Sequence, residues 1–221
     1  MNTAAPMDIP RWKTALNMMI NPGEVIKTQM TKIPWPYSVM VSGLSFTLFF
    51  LQTGLDMLKT GQIGASTVIL ITMLGLLYGT VGIALLAVMV WALSQAGQRG
   101  YTLEWAISTF ALGYSATFVY ALSGLIFSLA FGWKTAVAFG VTGVLWALRP
   151  TVYTIKQMSG ERLAFSIAMT TLCGAILLIG WEELLPEMQG RLDLIRLGTV
   201  TVRPESVQWV ISPDHPIPLK R

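Results

Sequence analysis

From Tyr37 to Trp181 the chain is almost continuously apolar, interrupted only by short polar connections. A helix needs roughly 20 apolar residues to cross a bilayer, and it satisfies its own backbone while doing so. Five stretches of that kind can be read, over about residues 37–58, 65–94, 103–131, 133–148 and 163–181. The fourth is short and is expected to close at Arg149 and Pro150. The spans are expected to carry no interior charge, with Glu104 and Lys134 at their very ends. Trp35, Tyr37, Trp105, Trp133 and Trp181 fall near span ends, where amphipathic rings favour the membrane interface. Composition agrees: 53% of the 221 residues are hydrophobic and 12% are charged, against about a quarter charged in a soluble domain.

Lysine and arginine in the short connections set the orientation. Arg11, Lys13, Lys27 and Lys32 precede the first span, and Arg99, Arg149, Lys156 and Arg162 belong to the second and fourth connections. The opposite connections carry Lys59 and Lys134. The N-terminus is therefore expected in the cytoplasm and, after five spans, the C-terminus outside. Residues 1–33 lack the continuous apolar core of a signal peptide.

The stretch "INPGEVIKTQMTKIPWPY", Ile20 to Tyr37, stands directly before the first span. Asn21 can cap a helix, Pro22 suits its first position, and Glu24 stands where a capping-box acid stands. Val25, Ile26, Met30 and Ile33 share a side, and Pro34 stops the helix. Upstream, Trp12, Ala15, Leu16, Met19 and Ile20 recur as one face of a second helix. Two short amphipathic helices are thus expected on the membrane surface. Their cations suit anionic lipid. They either pack under the bundle or offer a docking surface to a partner.

An Asn-Pro-Gly-Glu segment before five spans, together with Gly113-Tyr114-Ser115 in the third, resembles the Yip1 family of membrane proteins. "IPWPYSVMVSGLSFTLFFLQTGLD", "WALSQAGQRGYTLEWAISTFALGYSATFVYALSGL" and "WKTAVAFGVTGVLWALRP" are similar to its prokaryotic members, over roughly residues 18–182. The resemblance implies the fold and a place in a prokaryotic plasma (inner) membrane. It implies no activity. The Asp-Leu-Tyr-Gly-Pro motif of the eukaryotic members is absent, and their binding of prenylated small GTPases is not carried over.

Ionisable residues at membrane depth are the natural place to look for chemistry. Gln52, Thr53 and Asp56 can share a side near the end of the first span, as a polar membrane site. Alternatively Asp56 meets the interface and pairs with Lys59 or Lys134. Tyr78, Tyr114 and Tyr120 can hydrogen-bond neighbouring helices. The single histidine, His215, and the single cysteine, Cys173, leave no bis-histidine haem, cysteine zinc site or serine triad in the spans. No Gly-x-x-x-x-Gly-Lys loop is present. Neither a cofactor, a metal nor catalysis is expected.

Small residues are abundant in the spans. Gly75 and Gly79 form a Gly-x-x-x-Gly; Ala111 to Ser115 is small-x-x-x-small around Gly113, Tyr114 and Ser115; Gly140 and Gly143 lie on one side of the fourth span. Such residues let helices approach closely, within the bundle or between subunits. "SGLSFTLFF" (Ser42 to Phe50) and "SGLIFSLAF" (Ser123 to Phe131) agree at six of nine positions, too short a match to argue an internal repeat.

After Trp181 the character changes. "WEELLPEMQGRLDLIRLG" reads as a short interfacial helix broken near Pro186 and Gly190. "GTVTVRPESVQWVIS" then alternates like a β-hairpin around Arg203-Pro204-Glu205-Ser206. The expected fold is an all-α five-helix transmembrane bundle (35–182) with N-terminal amphipathic helices (1–34) and a small C-terminal extramembrane tail (183–221). The expected role is that of a non-catalytic scaffold, adaptor or accessory subunit. Its partners are then the bilayer and other membrane subunits or a second copy, not nucleic acid. A small transporter or channel with a polar site near Asp56 is the alternative.

Overall fold

The computed structural model describes residues 10–94 and 100–197, with side chains through Glu183. Every element among them is helical. Two short helices, α1 (Arg11–Ile20) and α2 (Pro22–Thr28), lead through a 3-10 turn at Met30–Lys32 into α3 (Trp35–Lys59). The second span is α4 (Ala65–Leu77) and α5 (Ile83–Ser94), joined by a π turn at Tyr78–Gly82. The third is α6 (Leu103–Leu112) and α7 (Ser115–Phe131), interrupted at Gly113-Tyr114. A π turn at Ala136–Val141 opens the fourth, which continues as α8 (Thr142–Met158). The last helix, α9, runs Leu163–Leu197. Five helices are long and apolar enough to cross a membrane: Trp35–Lys59, Ala65–Ser94, Leu103–Phe131, Ala136–Met158 and Leu163–Glu183. The protein is thus a multi-pass helical membrane protein.

Three expectations are corrected. The fourth span does not close at Arg149 and Pro150; α8 passes through both to Met158. A proline costs a helix one hydrogen bond, and neighbouring helices and Ser/Thr side chains can re-satisfy the freed groups. Here Pro150 is buried and packs beside Gly113, while Thr151 and Thr154 return their hydroxyls to the Ala147 and Pro150 carbonyls. Arg149 is therefore a charge inside the fourth helix, exposed on its surface, with a stem long enough to snorkel toward headgroups. Likewise α9 is not broken at Pro186 or Gly190 but continues to Leu197. The hairpin expected beyond it, and His215, lie outside the described residues.

The chain divides into two units, Met1–Gly180 and Trp181–Arg221. In the first, α3 is the hub, packed against α4, α6, α7 and both π turns. Its core is aromatic: Phe46, Phe49, Phe50, Phe110 and Tyr114 are fully buried, with Phe46 5.4 Å from Tyr114 and 5.5 Å from Tyr78 between ring centres. In the second unit, the described residues continue helix α9 to Leu197.

The third span, Leu103–Phe131, has 29 residues, about 43 Å of helix at 1.5 Å per residue. A hydrocarbon core is about 30 Å thick, so the span is longer than a straight crossing needs, an excess that tilt can absorb. Its first half is clothed by the N-terminal segment. Ala15, Met18, Val25, Ile26, Met30 and Ile33 form one buried cluster with Leu112, and Tyr37, Val41 and Trp105 pack against it. The face expected for α2 is thus buried. That of α1 is not: Thr14, Ala15 and Met18 turn inward, while Trp12, Leu16 and Ile20 are exposed. The apolar stripe of α1 faces the surroundings of the bundle, as an interfacial helix presents its stripe to lipid.

Candidate functional site

The polar residues of the first span were the strongest chemical signal in the sequence, and the structure puts two of them on one face. Gln52 and Asp56 lie one turn apart on α3, and Lys59 follows three residues later, so all three reach toward α7 and the connection after it. Gln52 is fully buried and its Nε2 donates to the Ala121 carbonyl of α7 at 2.5 Å. Gly124 makes the room, since a Cβ there would strike Gln52 Nε2 and Phe139. Thr53, also buried, returns its hydroxyl to the Phe49 carbonyl of its own helix at 3.1 Å.

Asp56 faces Lys59, one of the two partners expected for it, and also caps a helix. Its Oδ2 accepts from the backbone N–H groups of Thr135 at 2.7 Å and Ala136 at 2.8 Å. Those are orphan donors at the start of the fourth span, where the partial positive charge of the helix end favours a carboxylate. Lys59 does the converse for the helix before it. Its Nζ donates to the Ser128 carbonyl at 3.1 Å, the Ser128 hydroxyl at 2.6 Å and the Trp133 carbonyl at 2.9 Å. The helix α7 ends three residues after Ser128, with Gly132 in a left-handed conformation at φ 69°. One helix thus supplies an anion to a neighbouring N-terminus and a cation to a neighbouring C-terminus. The two charges also meet, Lys59 Nζ lying 3.9 Å from Asp56 Oδ1. The pairing is with Lys59, whereas Lys134 stands exposed in the connection. Three oxygens in this region, Gln52 Oε1, Asp56 Oδ1 and Thr135 Oγ1, are buried without a hydrogen-bond partner.

The small residues serve contacts inside the bundle. Gly75 lies on Phe46 and Phe50 of α3. A Cβ on Gly79 would lie 2.5 Å from the Ser42 carbonyl and 2.9 Å from Gly43 Cα. The Ser42 hydroxyl closes that approach by donating to the Gly79 carbonyl at 2.7 Å. Gly140 sits against the ring of Phe49, and Gly143 against Thr117 and Tyr120. Gly113 packs beside Pro150. The two "SGL" stretches do different work: Ser42 bonds across to the second span, whereas Ser123 returns to Val119 of its own helix.

The Gly113-Tyr114-Ser115 interruption is where the N-terminal segment enters. Ser115 donates to the Ala15 carbonyl of α1 at 2.8 Å, and Ser45 of α3 donates to the Tyr114 carbonyl at 3.1 Å. The Tyr114 hydroxyl is buried beside Thr151 and Cys173 but makes no hydrogen bond of good geometry. Tyr78 does join a neighbouring helix, donating to the Leu177 carbonyl of α9 at 2.7 Å. Tyr120 packs on Trp146.

Before α2, Pro22 takes the first helical position as expected, but the capping box does not form. Asn21 Nδ2 donates to Glu24 Oε2 at 2.7 Å, and no side chain caps the backbone. A capping box needs the cap residue's N–H free. Here it is already given to the Asn17 carbonyl, because α1 ends directly on α2. Sequence reasoning missed Ser128, Gly124 and the capping role of Lys59. Their only signal was a serine and a glycine spaced one turn apart in the third span. Among known proteins, no family model, no curated protein and no solved structure matches the chain.

Proposed function

We propose that the protein is a non-catalytic membrane protein of Yip1 type that acts as a scaffold, adaptor or accessory subunit of a membrane complex. Its place is a prokaryotic plasma membrane, N-terminus in the cytoplasm, with other membrane subunits or a second copy as partner. One observation carries the reading: the polar side chains of the first span hold the bundle together. Ser42, Ser45 and Gln52 bond backbone carbonyls of other helices, and Asp56 and Lys59 cap two helix ends. A transport path needs polar groups free to exchange partners along its length. The transporter alternative draws on the oxygens without a hydrogen-bond partner, Gln52 Oε1, Asp56 Oδ1 and Thr135 Oγ1. An Asp56 carboxylate held by two backbone N–H groups fits it less well. Reconstitution in vesicles tests the choice. No ion or solute flux above that of empty vesicles supports the adaptor reading; flux abolished by Asp56→Asn overturns it.

A further inference from the structure

Two recesses lie beside α1. One is a polar cleft of about 640 Å³ lined by Arg11, Lys32, Trp35, Glu104, Trp105 and Ser108, among others. The other is an almost wholly apolar groove of about 300 Å³ between α1, α3 and α7, with Trp12, Leu16, Met40, Leu44 and Phe118 on its walls. They share no lining residue, but Arg11 and Pro36 line the cleft and their chain neighbours Trp12 and Tyr37 line the groove, so the two lie side by side. The cleft stands at the start of α3 beside Trp35 and Trp105, rings that favour the headgroup level. Met40 and Leu44 lie five and nine residues further along α3, about 8 and 14 Å deeper at 1.5 Å per residue.

The charges decide the occupant. Arg11 and Lys32 line the cleft, opposed there by Glu104, and Lys13 stands over the Trp12 ring, 5.5 Å from its centre. Among the described residues, the ion pairs are Lys59 with Asp56 and Lys156 with Glu161, and Arg11, Lys13, Lys32 and Glu104 take part in neither. The region is net positive. A net-positive polar recess at headgroup level, beside an apolar groove that runs about one and a half to two and a half turns deeper, matches the two ends of one molecule. We propose that this site holds one phospholipid with a net negative headgroup. Its phosphate lies between Arg11 and Lys32, and one acyl chain lies along Leu16, Leu44 and Phe118. The proposal is independent of the adaptor reading and rests only on the membrane fold.

The test uses the full chain purified in non-ionic detergent. Native mass spectrometry measures retention of phosphatidylglycerol against phosphatidylcholine of identical chains, and thermal unfolding is followed with each lipid and with soluble glycerol phosphate. The expected result is one phosphatidylglycerol per chain, preferred several-fold. Each cation near an anionic surface contributes about a fivefold effect, so Arg11→Ala with Lys32→Ala should abolish that preference. Both side chains are exposed, so folding should survive. Glu104→Gln should strengthen the preference. Leu44→Trp, which fills the groove, should lower retention of both lipids alike. Equal retention of the two lipids, many lipids bound without preference, or undiminished preference in the double variant would overturn the proposal. Stabilisation by glycerol phosphate equal to that by the lipid would make this a small-anion site and overturn it too.

Discussion

The hydroxyl of Ser115, at the break in the third span, donates to the carbonyl of Ala15, 100 residues earlier, at 2.8 Å. That bond ties α1 to the bundle at the point where α6 gives way to α7. The first half of the third span and the N-terminal helices therefore share one packing unit, anchored by Met18, which is fully buried.

Ser115→Ala should loosen this unit without unfolding the bundle. A hydrogen bond between helices in a membrane protein contributes on the order of 0.6 kcal/mol, up to about 1.7. Met18→Ala should cost more, about 2–5 kcal/mol, as a truncation in a packed core. Hydrogen exchange over Arg11–Ile20 measures both. Faster exchange there, graded in that order, is expected; exchange unchanged in both variants would mean that α1 is not held by these contacts.

Asp56 supports the start of the fourth span. Asp56→Ala should destabilise the protein by about 1–2 kcal/mol, the range for losing a cap together with its interaction with the helix dipole. Asp56→Asn keeps an acceptor oxygen and should recover part of that loss, since asparagine caps nearly as well. Thermal unfolding in detergent ranks the variants. An asparagine variant no better than alanine would tell against the capping role.

The approach of α3 and α4 rests on Gly79. Gly79→Val places atoms where the Ser42 carbonyl and Gly43 already stand and should cost at least the 1–3 kcal/mol typical of overpacking. Gly82 is the control. A Cβ there meets nothing nearer than its own helix's Tyr78 at 3.9 Å, and Gly82→Ala should be neutral or stabilise by up to about 1 kcal/mol. Unfolding midpoints and the fraction of monodisperse protein read both. Equal effects at the two positions would contradict the packing described.

Orientation is open to direct labelling. Cys173 is buried, so single cysteines at Lys13→Cys and Lys134→Cys can be introduced with Cys173→Ser. A membrane-impermeant thiol reagent added outside intact cells should reach position 134 and not position 13. The reverse pattern would place the N-terminus outside.

The spans were legible because hydropathy alone decides them: Ala65–Ser94 and Leu103–Phe131 fall where the apolar runs do. The fourth was cut short because Arg149-Pro150 carries the local signs of a helix end. Packing of the buried Pro150 against Gly113 overrides those signs. The stripe on α1 was found, but not which side would be buried. Protein interior and lipid are both apolar, so periodicity cannot say which of them a stripe will meet. For Asp56 the sequence showed an isolated carboxylate. Its partners, Thr135 and Ala136, lie 79 and 80 residues away, and they are backbone groups, which no residue pattern marks.

The central claim is that the polar residues of the first span serve the fold and that the protein works through association. The most direct measurement is the native mass of the chain gently extracted at its natural expression level, with identification of whatever accompanies it. The account predicts a complex of fixed stoichiometry, with a second membrane subunit or a second copy. A single chain with nothing attached, together with flux in vesicles that Asp56→Asn abolishes, would contradict it.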